Sequence, residues 1–126
     1  MLYRKEKLLK KLIAIAMLFS CISFSKVYYG NASYYTERDN WLNGHNKTAN
    51  GEIYNENKFT CASNKHKFGT LLRVENKKTG KSVICRVNDR GGFGKYNRVI
   101  DLSKASFKQI ANLVNGVVHV KITPLN

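Results

Sequence analysis

The chain has 126 residues, with 22 Lys and Arg against 8 Asp and Glu, for a formal net charge of +14. That length supports one domain and no more. The charge points to an anionic partner or to a surface of solvated lysine, and three cysteines without a His or Cys cluster argue against structural zinc.

Arg4, Lys5, Lys7, Lys10 and Lys11 crowd the start, and Leu12 to Phe19 is an unbroken apolar run. Basic then apolar and short, residues 1–25 read as a secretory signal. The run falls short of the roughly 18 apolar residues that a membrane-spanning helix needs. Two exits are open. Leu18-Phe19-Ser20-Cys21 resembles a lipobox, with Cys21 lipidated as the new N-terminus, and Ser23-Phe24-Ser25 before Lys26 is a small-x-small cleavage site. The first is favoured, because a cysteine closing the apolar run has no other evident use. The expected domain is then 26–126, exported to the bacterial cell envelope as a lipid-anchored or a secreted, periplasmic protein. Without the five basic residues and Glu6 of the leader, 17 basic and 7 acidic groups remain. In that compartment envelope polymers or membrane headgroups replace nucleic acid as the anionic partner.

Apolar runs of strand length follow at Ala32 to Tyr35, Phe59 to Ala62, Leu71 to Val74, Val83 to Val87 and Val117 to Ile122. Between them lie turn signals such as Asn43-Gly44, Asn50-Gly51, Lys78-Thr79-Gly80, Gly91-Gly92 and Asn115-Gly116. Leu71 to Val87 reads as a hairpin around Asn76 to Gly80. Phe107, Ile110, Ala111 and Val114 share one helical face, with Ser103 placed to cap it. Many short strands with one short helix predict an all-β fold, a small closed barrel. Cys61 and Cys85 form an even pair in an oxidising compartment, most simply a disulfide worth roughly 3 kcal/mol.

The strand-like run Ser82 to Val87 breaks into Asn88-Asp89-Arg90-Gly91-Gly92-Phe93, which sets a carboxylate at a strand mouth beside a guanidinium. Upstream, His45-Asn46-Lys47-Thr48-Ala49-Asn50-Gly51-Glu52 offers a second acid. Glu37 and Asp39 flank Arg38 in an expected polar loop, and with Glu56 and Glu75 they read as solvated groups. Tyr34, Tyr35, Trp41, Tyr54, Phe93 and Tyr96 offer flat faces on which sugars stack, although strand aromatics more often fill a core; Tyr34 reads as core and Trp41 as surface. His45 lies where it either orients Glu52 or, more commonly for such a loop, faces solvent; His119 reads as outward from a strand, and His66 carries no motif.

These segments resemble the RlpA-like (rare lipoprotein A) family of double-psi β-barrels. The resemblance rests on Gly30-Asn31-Ala32-Ser33-Tyr34-Tyr35, Thr48-Ala49-Asn50-Gly51-Glu52, Phe68-Gly69-Thr70, Val87-Asn88-Asp89-Arg90-Gly91, Ile100-Asp101-Leu102-Ser103 and Gly116-Val117-Val118-His119-Val120, in that order. It implies a six-stranded double-psi barrel and an envelope role, some members being lytic transglycosylases that cut peptidoglycan glycan strands. Acids matching Glu52 and Asp89 are implicated there, and related membrane-bound transglycosylases place an acid at a position like Asp101. Expansins use similar barrels to grip polysaccharide, often without cutting it. Family members often carry a His where this chain has Ser63.

The expected chemistry is cleavage with formation of a 1,6-anhydro sugar. Asp89 is the general acid/base, Glu52 its partner, and Asp101 a third candidate, more readily a hydrogen-bond acceptor that orders the site. Arg90, Asn88, Asn50, Trp41, Tyr35 and Phe93 are the candidate substrate contacts, with Arg90 either pinning a carboxylate or reaching a sugar carboxyl. No cofactor and no metal site is expected. The expected partners are glycan strands and, through Cys21, a membrane, without nucleic acid and with the chain monomeric. The competing function is a non-catalytic barrel that holds glycan strands or another envelope protein.

Overall fold

The computed structural model describes residues 2–20, 26–42, 44, 46–93 and 97–126. Cys21, Ser23 to Ser25, Asn43, His45 and Tyr96 lie outside the described residues. The leader segment is helical over Leu2–Ser20 (α1). Among the described residues no helix is long and apolar enough to cross a membrane.

Six strands follow: β1 (Tyr28–Tyr35), β2 (Thr60–Ala62), β3 (Leu71–Asn76), β4 (Ser82–Asp89), β5 (Arg98–Ser103) and β6 (Val118–Pro124). They close into a barrel in the order β1-β5-β2-β4-β3-β6. The pairs β1/β5 and β2/β4 are parallel and the other four antiparallel, so the barrel is mixed and leaves no free sheet edge. Strand alternation fills it. Leu72 and Val74 of β3 and Val83, Cys85 and Val87 of β4 point inward among Ala32, Ile100, Leu102, Val120 and Ile122. The disulfide Cys61–Cys85 ties β2 to β4 with Cα atoms 5.8 Å apart.

The expected hairpin is present, with Leu71 opposite Arg86 and Glu75 opposite Ser82. Gly80 takes φ +76° in its turn, a conformation glycine adopts without steric cost. β5 is missing from the apolar runs because Arg98, Asp101 and Ser103 interrupt its hydrophobic pattern. Glu37 and Asp39 stand on a short helix, α2 (Glu37–Leu42), where a polar loop was expected. Thr36 and Asp39 start it by reciprocal capping, the Asp39 N–H donating to Thr36 Oγ1 and the Thr36 N–H to Asp39 Oδ2.

α3 (Lys104–Ile110) is capped by Ser103, whose Oγ accepts from the Ser106 N–H, and it buries Phe107 and Ile110 against the barrel. The helical face expected to run on to Val114 stops short. Ala111 is extended, and the Asn112 side chain accepts from the Val114 N–H to start a separate 3-10 turn, Leu113–Asn115. Val114 is left 89 % exposed on it.

Candidate active site

Arg86 faces outward and half-buried on β4, between inward Cys85 and Val87. Across from it the chain from Lys47 to Ile53 forms a tight loop closed by a bridge between those two residues. The Thr48 N–H donates to the Glu52 carbonyl at 2.7 Å and the Gly51 N–H to the Thr48 carbonyl at 2.9 Å. Gly51 sits at φ +91°, so a side chain there would strain the turn. This geometry delivers Glu52 to Arg86, whose two terminal nitrogens donate to Oε1 at 2.6 Å and Oε2 at 2.8 Å. Asn50 adds a bond to Oε1 at 2.8 Å and Asn88 one to Oε2 at 3.1 Å. The hydrogen bonds from Arg86, then those from Asn50 and Asn88, hold the Glu52 carboxyl down to a pKa of about 2. Glu52 is therefore an ionised acceptor at neutral pH.

The same loop reaches Asp89. The Ala49 N–H donates to Asp89 Oδ1 at 2.9 Å and the Asn50 N–H to the Asn88 carbonyl at 3.2 Å. The Arg90 N–H also donates to Oδ1, at 2.9 Å, and the Tyr35 hydroxyl donates to Oδ2 at 3.1 Å. Burial, reinforced by the charge of Asp89, raises the pKa of Tyr35 far above its usual range, so its proton stays on the oxygen as a donor. Tyr35 is itself held, stacked on Tyr54 with ring centroids 4.4 Å apart. The Tyr54 hydroxyl donates to the Tyr35 carbonyl at 2.7 Å.

Asp101 stands on β5, where Ala62 of β2 pairs with it on one side and with Asp89 on the other. The two acids thus flank a single residue, with backbones about 10 Å apart by strand spacing. Both act electrostatically on the Tyr35 hydroxyl. Asp101 accepts from the Ser33 hydroxyl, and Arg98 lies 3.9 Å from its other oxygen.

The remaining candidates divide. Asn88 is only 2 % exposed, and with Asn50 it serves Glu52 rather than facing outward. The Arg90 guanidinium donates to the Ser63 carbonyl at 2.8 Å and lies 3.9 Å above the Phe68 ring. Phe93 is half-buried against Gly91, where an added Cβ would come within 2.5 Å of its ring. Asn64 clamps Gly91 from both sides, donating to its carbonyl at 2.6 Å and accepting from its N–H at 3.1 Å. Trp41 is 68 % exposed and lines a cavity of about 180 Å³ with Ile53 and Tyr54, one aromatic ring away from Tyr35. Buried Ser63 meets Asp89 only through the backbone, its N–H donating to the Asp89 carbonyl at 3.0 Å. His66 pairs with the Tyr28 hydroxyl at 2.8 Å and His119 with Asn31. Tyr34 packs its ring on Phe107 at the core margin.

Arg86, Ser33 and Asn64 carry no individual role in the sequence reading, and Tyr54 appears there only as an aromatic face. The outward place of Arg86 on its strand could have been read from alternation, but its partner lies 34 residues away. Among the described residues, no three His, Cys, Asp or Glu side chains are grouped to hold a metal ion.

A closed mixed barrel with an acid at a strand mouth and a second acid pinned on the facing loop defines a class. The family described as lytic transglycolase matches over residues 28–122, and the chain belongs to this family of double-psi β-barrels. It is 47 % identical over 93 residues to the endolytic peptidoglycan transglycosylase RlpA of Neisseria meningitidis serogroup A, covering 74 % of this chain and 37 % of that protein. Identity is 42 % over 93 residues to the protein of the same name from Pasteurella multocida, covering 74 % and 30 %. The chain thus spans about a third of the length of these relatives. The Streptomyces papain inhibitor shares the fold, with a TM-score of 0.65 at 20 % identity, covering 83 % of this chain and 99 % of that one.

Proposed function

We propose that the protein is an endolytic peptidoglycan lytic transglycosylase with Asp89 as its general acid/base. The observation that carries this reading is the seating of Asp89, whose carboxyl accepts from the Ala49 and Arg90 N–H groups and the Tyr35 hydroxyl. Three donors from three segments fix its direction without covering it. In the proposed step the acid form of Asp89 passes its proton to the glycosidic oxygen as the bond from that oxygen to the sugar C1 breaks. The C6 hydroxyl of the same sugar then attacks C1, its proton returns to Asp89, and a 1,6-anhydro end remains. No water is consumed.

Glu52 acts through position. Its charge is offset by Arg86, and the pair anchors the loop whose Ala49 N–H aims Asp89. Asp101, with Arg98 as its counter-charge among the described residues at 3.9 Å, supplies negative potential to the developing oxocarbenium centre. Tyr35, Trp41 and Phe93 are the apolar faces offered to sugar rings, and Arg90, through its hold on the Ser63 carbonyl, shapes the wall beside them. The same reading makes the chain an exported envelope protein, monomeric, with residues 1–25 as its leader and Cys21 as the lipidated residue. The mass of the mature N-terminus tests this, since a free amine on Lys26 rules out the lipid.

A non-catalytic glycan-holding barrel is the second reading, favoured by buried Ser63, which lends Asp89 no imidazole. Digestion of purified peptidoglycan, intact and stripped of stem peptides, separates the two. Anhydro-ended products support cleavage, whereas binding without such products from either substrate supports the holding barrel.

A further inference from the structure

β4 runs from Ser82 to Asp89, about 23 Å at the rise of a strand, so the turn before Ser82 lies a strand length from the acidic site. There the 77–81 turn, the end of α3 and the 3-10 turn enclose a groove of about 860 Å³. Lys78, Lys81 and Lys108 line it, and no Asp or Glu does. Its walls are tied together by buried Asn76, whose amide donates to the Ile110 carbonyl at 2.9 Å while its Oδ1 accepts from the Lys78 N–H at 2.9 Å. Next to this groove Val114 projects from its capped turn, almost fully exposed, and Val117 is also exposed.

We infer that this groove and the Val114 turn form a docking surface for anionic phospholipid, independent of the proposed glycan chemistry. Lysines at a groove without carboxylates attract headgroup phosphates, and an aliphatic side chain held out on a short turn beside them enters the acyl boundary. A soluble anionic polymer would meet the same lysines but gain nothing from Val114. The arrangement holds the acidic site one strand length from the bilayer.

The test uses the full chain, so that the basic α1 is common to every variant. In a Trp41→Phe background, Val114→Trp places the sole tryptophan on the turn, and its emission is read on vesicles of phosphatidylcholine alone or mixed with phosphatidylglycerol. A blue shift is expected on the mixed vesicles only. It disappears with Lys78→Gln, Lys81→Gln and Lys108→Gln together, but survives the matched set Lys26→Gln, Lys47→Gln and Lys67→Gln. Each lysine near an anionic surface is worth about fivefold in partitioning, so the groove triple weakens the contact about a hundredfold. An unshifted spectrum on mixed vesicles, or equal loss with the two triple sets, overturns the inference. So does displacement by soluble polyphosphate together with wild-type partitioning of Val114→Ser. Near-UV circular dichroism confirms that each variant is folded.

Discussion

Replacing Glu52 by Gln tests the clamp that joins the two acidic loops. Four hydrogen bonds converge on that carboxylate, and its pKa falls from 4.5 to about 2. At 1.36 kcal/mol per pKa unit the full linkage would reach about 3.4 kcal/mol. The two side chains are 37 % and 38 % exposed, and solvent screening reduces the contribution to about 1 kcal/mol. The folded value lies below the unfolded one. The stabilisation is therefore complete above about pH 4.5 and is lost as the pH falls towards 2. Urea unfolding of the wild type and E52Q across pH 2 to 7 reads it directly. E52Q is expected to lose about 1 kcal/mol at neutral pH, roughly 4–8 °C in Tm for a domain of this size, and to converge on the wild type near pH 2. Parallel stability curves for the two proteins, with the same acid limb, would refute the clamp.

Gly30→Ala pushes a Cβ to within 2.6 Å of both Val99 methyls, and because valine is stiff the overpacking costs about 2 kcal/mol in urea unfolding; Val99→Ala in the same chain restores part of it. Breaking the Cys61–Cys85 bridge, which spans 24 residues, by a double Ala substitution lowers stability by roughly 3 kcal/mol, read as a lower urea midpoint. Tyr35→Phe removes the donor to Asp89 Oδ2 and is expected to lower kcat about tenfold or more with KM little changed, whereas a merely structural role would leave kcat unchanged and shift Tm instead.

Much of the barrel was legible because inward residues at Leu72, Val74, Val83, Cys85 and Val87 alternate with outward ones, and alternation is a local signal. β5 was harder to read because Arg98, Asp101 and Ser103 break its short hydrophobic pattern. The helix end was misplaced by counting apolar periodicity through Val114, which outvoted the capping chemistry of Asn112. The strand-mouth and loop motifs pointed to Asp89 and Glu52 and the family resemblance to Asp101, yet the contacts of each were not written locally. Whether Glu52 is free or clamped depends on Arg86, and whether Arg90 touches a carboxylate depends on Ser63 and Phe68. Each of those contacts joins segments that only the closed barrel brings together.

The most direct measurement is the rate at which the wild type and Asp89→Asn release anhydro-ended glycan from purified peptidoglycan, with glycan affinity measured alongside. The substitution keeps the volume of the side chain and an acceptor for Tyr35 but leaves no acidic proton to give. Release should fall about 10²- to 10⁴-fold while affinity stays close to that of the wild type. Undiminished release by Asp89→Asn, or binding without release by the wild type itself, contradicts the account.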